Sequence, residues 1–340
     1  MSTPVLDPGS TGPTPTFWPL FPARSNPLGP ATDKHAAAWL DDHHLADDAL
    51  ESTRLKATRV GSGVGCLFPD AGQHLLDLAA DLCLWLSVYD DFHVEAFQAT
   101  ATTLAPHIAS FTHVLDTRTT PPASASPLTS ALADLTARMH DLMTSAQAAR
   151  TTTRLHQAFA ATYWETTTHE RTVARAEYEA MRPHTFFGHV LATLIEPGAG
   201  LDLPDRVHHC EPVRQLIHAT ARLWAWINDV YSFPAEQHRL GTPPQTLPLI
   251  LAQQHGLSLP EAFAAACRMC DTEAATAHRL ITELTTSPSP QLARYGSAIS
   301  HAIGGTQAVY QVSDRWSTSS HPPDSQSPVA HARRQDRPRR

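Results

Sequence analysis

The sequence predicts an all-α fold, a single bundle of helices, from three observations. Apolar residues recur with helical spacing through much of four stretches, 70–112, 129–194, 211–233 and 259–315. No clean run alternates apolar and polar residues in the way that a half-buried strand would. Proline-rich breaks at 119–127 and 242–246 interrupt the pattern where loops between helices are expected. A chain of 340 residues is long enough for such a bundle to enclose a cavity.

One domain is expected over residues 17–317, because nothing in the middle of the chain resembles a linker. Residues 1–16 are rich in Pro, Thr and Ser, and residues 318–340 are polar with a basic end, so both ends are predicted to be disordered. The formal charge of −8 argues against a nucleic-acid partner. The sequence shows no signal peptide and no apolar run of the roughly 18 residues that span a bilayer. These features predict a cytoplasmic protein without a membrane span.

The segment 228–236 carries three oxygen-bearing side chains at four-residue intervals. Asn228, Ser232 and Glu236 follow an apolar stretch that is predicted to be a buried helix. On a helix, residues at this spacing lie roughly on one face, one turn above another. An amide oxygen, a hydroxyl and a carboxylate on one face form an open site for a hard cation such as Mg²⁺, which takes its remaining oxygens from water and a substrate phosphate. The alternative is a solvated polar face.

A second acidic cluster follows the apolar run 82–89. Asp90 and Asp91 stand at the end of this run, and Glu95 lies four residues beyond Asp91. Two adjacent carboxylates at the end of a buried helix are costly, because like charges repel and desolvation is unfavourable, and a cation would remove that cost. The alternative, a solvated helix end, is disfavoured by the apolar run.

Together these segments resemble the metal-binding motifs of bacterial class I terpene synthases. Asp90-Asp91…Glu95 is similar to the longer form of the family's D-D-x-x-(x)-D/E motif, and the segment 228–236 matches N-D/S-x-x-S-x-x-x-E at every ligand position. The resemblance implies a class I terpenoid synthase bundle around a central apolar active-site cavity. It also implies that the two motifs bind three Mg²⁺ ions together with the diphosphate of an isoprenoid substrate. Homodimers are common in this family, which leaves the oligomeric state open.

Further landmarks of the family occur at the expected intervals. The N-terminal segment 21–27 and the downstream Trp39 are similar to the family's P-x-R-x-N-P segment and its tryptophan. Arg182 lies 46 positions before the first ligand of the second motif, where the family has a diphosphate-sensing arginine. Arg315 and Trp316 stand where the family has an Arg-Tyr pair. The resemblance implies that these three residues bind the diphosphate, the two arginines through fork-shaped donors that suit phosphate oxygens.

Candidate pocket residues follow from helical geometry and from the resemblance. Leu86 and Ser87 lie one turn before the first aspartate, so one or both are expected to face the cavity. Thr185 and Phe186 occupy the family's linker and effector positions, three and four residues past the sensor. An aromatic ring there could stabilise a carbocation by ~0.5–2 kcal/mol. Tyr310 is a further candidate, and ordinary core packing is the alternative reading.

The chain departs from the family pattern at several positions. Ala235 replaces a lysine that touches the diphosphate in many relatives, and Trp316 lacks the usual tyrosine hydroxyl. Pro234 lies inside the second motif, where a proline in a helix costs ~3 kcal/mol, so a kink or a displaced last ligand is expected. Ala302 and Val309 stand where relatives often have tryptophan, which would suit a larger cavity.

The resemblance implies a Mg²⁺-dependent terpene cyclase, a lyase that ionises a linear isoprenoid diphosphate and cyclises the cation. Farnesyl diphosphate is the default substrate and a sesquiterpene the default product. One alternative is a diterpene synthase that uses geranylgeranyl diphosphate. A chain-elongating prenyltransferase would need two aspartate-rich motifs and is disfavoured. A degenerate helical protein that binds prenyl diphosphates without turnover is the alternative from a different class.

Overall fold

The computed structural model of the chain describes residues 14–91, 100–168, 171–240 and 245–312, apart from the side chains of 234–240 and 312. Within these ranges the secondary structure is helical and contains no β-strand, which confirms the predicted all-α fold. A short 3-10 helix at Trp18–Leu20 precedes the α-helices: α1 Gly29–Asp42, α2 Ala49–Ala57, α3 Val60–Leu67, α4 Gln73–Tyr89, α5 Ala101–Thr117, α6 Pro127–Leu142, α7 Ser145–Thr166, α8 Arg175–Thr185, α9 Gly188–Thr193, α10 Ile195–Gly198, α11 Asp205–His208, α12 Glu211–Leu240, α13 Leu247–His255, α14 Leu259–Thr285 and α15 Pro290–Val312.

Helix boundaries follow local signals in the sequence. The hydroxyl of Thr144 accepts the Gln147 N–H at 3.3 Å, and the Gln147 side chain accepts the Thr144 N–H at 3.1 Å. This reciprocal capping box begins α7 and divides the predicted helical stretch 129–194. The predicted loop at 119–127 is confirmed, since α5 ends and α6 begins on either side of it. The second predicted loop, 242–246, lies partly outside the described residues.

Helices α1, α3 and α15 pack with backbone contacts that only glycine allows. A Cβ added to Gly61 in α3 would lie 2.4 Å from the backbone nitrogen of Asp33 in α1. One added to Gly305 in α15 would lie 1.9 Å from the carbonyl oxygen of Cys66 in α3. Ordinary contacts of a Cβ begin at 3.4 Å, so any larger side chain would force these helices apart. The glycines therefore set the spacing of two helices, α3 and α15, that line the cavity described below.

The N-terminal residues are anchored to the bundle. The Thr16 N–H donates to Asp271 of α14 at 2.7 Å, although Thr16 belongs to the segment predicted to be disordered. This hydrogen bond holds the residue against α14. The amide of Asn26 donates to the carbonyls of Phe68 and Ala71 at 3.1 and 2.8 Å, which fixes the N-terminal segment against the turn between α3 and α4.

Helix α12 crosses the centre of the bundle. Leu216, Leu223 and Ile227 have no exposed surface, which confirms the predicted buried approach to the second motif. The helical backbone continues past Pro234 to Leu240, so the proline does not end the helix. Among the described helices, none combines the length and the apolar character needed to cross a bilayer.

Candidate active site

A cavity of about 210 Å³ lies between α3, α4, α8, α12 and α15. The five residues that the sequence placed at a pocket all line it: Leu86, Ser87, Thr185, Phe186 and Tyr310. Apart from Asp90 and Arg182, the described lining residues carry no charged group, and most of the wall is apolar. The cavity thus combines a hydrocarbon-like interior with one carboxylate and one guanidinium.

Sequence reasoning missed the wall that α3 contributes. Val60, Gly63 and Val64 line the cavity on this side, and Val309 of α15 lies next to them. The segment 60–64 contains two glycines and two valines, a pattern that does not distinguish a cavity wall from ordinary core packing. A signal was present in the glycines of α3, because glycine inside a helix is costly unless another backbone comes close.

The first motif begins where α4 changes its backbone geometry. Asp90 and Asp91, the residues after α4, have π-helical geometry, a local widening that is frequent at functional sites. Asp90 lines the cavity. Asp91 is 7% exposed, and its carboxylate lies 3.6 Å from the guanidinium of Arg54 in α2. The two adjacent carboxylates thus have different surroundings, and Glu95 lies outside the described residues.

The second motif places two of its side chains in the buried part of α12. Asn228 is 5% exposed and lines the cavity. Ser232 is fully buried one turn further along, and its hydroxyl has no hydrogen-bond partner among the residues that the structure describes. An unsatisfied buried hydroxyl costs ~1–3 kcal/mol, and a metal ion would satisfy it. This hydroxyl and the Asn228 amide oxygen are the kind of donors that Mg²⁺ takes.

Arg182 of α8 contacts the second motif directly. Its Nη2 donates to the amide oxygen of Asn228 at 3.0 Å, and its Nε donates to Asp229 at 2.9 Å. The guanidinium carbon lies 5.9 Å from the centre of the Phe186 ring. Arg182 also lines the cavity. The interval of 46 positions in the sequence therefore corresponds to a side-chain contact between the predicted sensor and the first predicted ligand of the motif.

Sequence reasoning assigned no role to Asp229, which is fully buried beside Asn228. Its Oδ2 accepts the hydroxyl of Tyr178 in α8 and, at 2.9 Å, the backbone N–H of Leu247 at the start of α13. The available signal was an acidic residue within the apolar part of α12, where an unpaired carboxylate would be costly.

The backbone between α8 and α9 is strained next to the cavity. Phe187 has a φ of 60°, an uncommon value for an aromatic residue, and conformations of this kind cost ~1–3 kcal/mol. Phe187 is 6% exposed and lines the cavity. A Cβ on the next residue, Gly188, would lie 2.9 Å from the carbonyl oxygen of Ala221 in α12. The backbone therefore bends at Phe187, which lines the cavity, and at the next residue α9 comes into close contact with α12.

Cys83 is the thiol in the cavity wall. Burial, with a smaller contribution from Asp81, raises the pKa of this thiol to about 12. The thiol is therefore protonated at neutral pH, and nucleophilic chemistry, which needs the thiolate, is disfavoured.

Several predicted site residues lie outside the described part of the chain. They are Glu95, Arg315, Trp316 and the side chain of Glu236. Among the described residues, no group of three or more His, Cys, Asp or Glu side chains could hold a metal ion. The predicted roles of these residues, and of the metal ligands as a set, stay predictions.

Comparison with known proteins decides the family. Residues 81–276 match the profile of "Terpene synthase family 2, C-terminal metal binding". Over 302 residues the chain is 50% identical to the labda-7,13(16),14-triene synthase of Streptomyces clavuligerus, a match that covers 89% of this chain and 88% of that protein. The chain belongs to the bacterial class I terpene synthases. This terpene synthase is thus a lyase of the class that its motifs predicted, and the family description supports the use of a divalent metal.

Other relatives agree with this assignment. The terpene synthase is 37% identical to the (12E)-labda-8(17),12,14-triene synthase of Streptomyces anulatus, over 76% of this chain and 81% of that protein. Its fold matches the crystal structure of the SVS_A2 protein from ancestral sequence reconstruction, with a TM-score of 0.75 at 18% identity over 86% and 88% of the two chains. It also matches a linalool/nerolidol synthase from Streptomyces clavuligerus, with a TM-score of 0.74 at 22% identity over 84% and 97%. The predicted class I terpenoid synthase fold is confirmed.

Proposed function

We propose that this terpene synthase is a Mg²⁺-dependent diterpene synthase that converts a C20 allylic diphosphate into a labdane-type triene. The observation that carries the proposal is the 50% identity to a labdatriene synthase over nearly the whole of both chains. A second labdatriene synthase, from Streptomyces cyslabdanicus, is 35% identical over 84% of this chain. Gly63 and Val309 in the cavity wall have small side chains, which also suits a larger substrate than farnesyl diphosphate.

The product class suggests a short reaction. A labdane is bicyclic and carries one longer side chain. In a 13(16),14-diene the two conjugated double bonds lie at the end of this side chain, which is also where the corresponding allylic diphosphate carries its oxygen. Such a diene forms when the C15–O bond breaks, the electrons of that bond leave with the diphosphate, and a proton is lost from C16. The products are then one triene, one diphosphate and one proton. On this route the rings are already closed when the substrate reaches the cavity.

The residues fit the ionisation step. Asp90, Asn228 and Ser232 would hold the metal ions, with Asp91, Glu95 and Glu236 completing the two motifs. When bound, Mg²⁺ acts as a Lewis acid on the leaving diphosphate. Arg182 would donate to the diphosphate oxygens, as would Arg315 and Trp316. We assign the final deprotonation to the released diphosphate, because the Cys83 thiol is protonated and, apart from the proposed metal ligand Asp90, the described wall residues carry no carboxylate, imidazole or amine.

Aromatic side chains would protect the cation from water. Phe186, Phe187 and Trp224 line the cavity. Each ring can face a cation with its electron-rich surface, an interaction worth ~0.5–2 kcal/mol. Exclusion of water favours a hydrocarbon product over an alcohol.

A substrate panel tests the proposal. Purified protein and Mg²⁺ would be incubated separately with farnesyl diphosphate, geranylgeranyl diphosphate and a bicyclic labdadienyl diphosphate, and the extracts analysed by gas chromatography–mass spectrometry. We expect a triene of formula C20H32 from the bicyclic substrate, and its loss when the metal is chelated. Ser232→Ala should abolish product, whereas Ser297→Ala, a matched change at an exposed site on α15, should not. A folded protein that gives no product from any substrate would support a non-catalytic binder instead.

A sesquiterpene synthase is the second candidate. It is favoured by 33% identity, over 75% of this chain, to a (+)-T-muurolol synthase of Roseiflexus castenholzii whose name specifies farnesyl diphosphate cyclisation. A cyclic C15 product from farnesyl diphosphate, with no turnover of either C20 substrate, would establish this function and refute the diterpene proposal.

A further inference from the structure

We propose that Asp229 is a positioning residue that holds the Arg182 guanidinium against the Asn228 amide before the substrate binds. The inference rests on the proposed role of Arg182 as a diphosphate ligand and goes beyond it. Neither the motif nor its spacing assigns Asp229 a role. Successive residues of a helix are rotated by about 100°, so the Asp229 side chain leaves α12 in a different direction from that of the predicted ligand Asn228. Its contacts show what it can do.

Asp229 joins three helices through both of its oxygens. Oδ1 accepts Nε of Arg182 at 2.9 Å, and Nη2 of the same guanidinium also lies 2.9 Å from it. Oδ2 accepts the Tyr178 hydroxyl and the Leu247 N–H. Donors from α8 and α13 therefore converge on one carboxylate of α12. The side chain is held at both ends of the carboxylate and has little freedom to rotate.

Charge and burial make the pair with Arg182 strong. The Asp229 side chain has no exposed surface, and that of Arg182 is 14% exposed. An isolated carboxylate is costly to take out of water, so removal of the guanidinium would leave an unpaired buried charge. Free arginine side chains also lose rotamer entropy when they are fixed. Because Asp229 fixes Arg182 in the folded protein, the substrate would not have to supply that cost.

The geometry leaves one part of the guanidinium for the substrate. Asp229 binds the edge formed by Nε and Nη2, whereas Nη1 has a contact of 3.4 Å with the Thr185 hydroxyl, at the limit of a hydrogen bond. Nη2 also donates to the Asn228 amide oxygen at 3.0 Å. A partner of this kind orients the oxygen of a metal ligand, and loss of such partners typically costs 10–100-fold in metal affinity or activity. Asp229 would thus align the diphosphate sensor and a metal ligand as one unit.

A purely structural role for Asp229 predicts different behaviour. In that case the carboxylate would only tie α8, α12 and α13 together, and its loss would lower stability without changing the intrinsic affinity of the folded protein for an anion. Tyr178→Phe provides the matched control, because it removes a donor from Oδ2 and keeps the contact between Oδ1 and Arg182.

The experiment is a calorimetric titration of the full chain with inorganic diphosphate in the presence of Mg²⁺. We expect Asp229→Asn, which keeps the shape and removes the charge, to weaken diphosphate binding at least tenfold, and Tyr178→Phe to change it less than threefold. Unfolding transitions followed by circular dichroism would show that the variants are folded at the temperature of the titration. Wild-type affinity in folded Asp229→Asn would overturn the proposal, as would an equal loss in Tyr178→Phe.

A second pair of variants covers the case in which Asp229→Asn does not fold. Arg182→Gln and the double variant Arg182→Gln/Asp229→Asn both avoid an uncompensated guanidinium, and the double variant also avoids a buried unpaired carboxylate. If Asp229 acts through Arg182, the two should bind diphosphate with the same affinity within threefold. A further tenfold loss in the double variant would show that Asp229 acts independently and would refute positioning. Because the titration needs no turnover, its outcome is separate from that of the substrate panel.

Discussion

Replacement of Gly305 by alanine tests whether the contact between α3 and α15 sets the cavity wall. The new Cβ would lie 1.9 Å from the Cys66 carbonyl oxygen, whereas ordinary contact begins at 3.4 Å, so the two backbones must separate by roughly 1.5 Å. The neighbour is a backbone carbonyl within α3, which cannot turn aside as a flexible side chain could. Thr306, the next residue, and Val309, one turn further along α15, both line the cavity, so a shift of the helix would move that wall.

Two opposing effects decide the size of the loss. Alanine favours an interior helical position over glycine by ~1 kcal/mol. Overpacking of this kind costs ~1–3 kcal/mol, occasionally more, and the displacement needed here is large. Because the displacement is large, we take the upper end of this range, and the free energy of unfolding of Gly305→Ala should fall by about 2 kcal/mol once the propensity gain is subtracted. Since the cavity wall moves with α15, we also expect the variant's product yield to drop.

Urea unfolding followed by circular dichroism measures the loss, and Gly63→Ala is the matched control. A Cβ on Gly63 would meet Val309 Cγ1 at 3.7 Å, which is ordinary contact, so this variant should keep its stability or gain up to ~1 kcal/mol from helix propensity. The two substitutions each add one methyl group, to two helices that face each other. They differ in the distance from the new Cβ to its nearest neighbouring atom. If Gly305→Ala unfolds at the same urea concentration as Gly63→Ala, the reasoning is refuted.

Two further predictions concern pH and substrate size. His189 is 2% exposed, and burial, with smaller contributions from His184 and Arg154, lowers its pKa to about 2. In the unfolded chain the His189 ring binds a proton near pH 6.5, so its contribution to stability is full above that pH. Below it, the free energy of unfolding falls by up to about 1.4 kcal/mol per pH unit. Urea unfolding at about pH 7.5 and about pH 5.5 measures this fall, and His189→Gln should make it smaller. Val309→Phe should lower kcat/KM for a C20 diphosphate more than for farnesyl diphosphate, because each methylene group excluded from the cavity costs ~0.8 kcal/mol.

Each of these predictions has a control within the chain. His113→Gln, at an exposed site on α5, is the matched control for the loss of a histidine. An identical pH dependence in wild type and His189→Gln would show that His189 is not the group responsible. For the cavity, Val309→Ala should retain turnover of the C20 substrate. Equal losses for C20 and C15 substrates in Val309→Phe would contradict the placement of this wall beside the substrate's apolar end.

The sequence by itself determined the fold class and the relation of the key side chains along each helix. Helical spacing brought Leu86 and Ser87 to the cavity and aligned Asn228 with Ser232, because the geometry of a single helix is set by its 3.6-residue turn. The interval from Arg182 to the second motif was informative only through the resemblance to a family. No local rule relates residues on two different helices at that distance.

Only the tertiary structure decided which residues from different helices meet. Asp229 became important because Tyr178 and Arg182 of α8 and Leu247 of α13 donate to it, and Gly305 because a carbonyl of α3 comes within contact distance. In the sequence, Asp229 is a motif position without a predicted ligand role, and Gly305 is a residue of low helix propensity. Their roles depend on how the helices pack, and packing arises from the shapes and charges of many distant side chains together, which spacing along one chain does not contain.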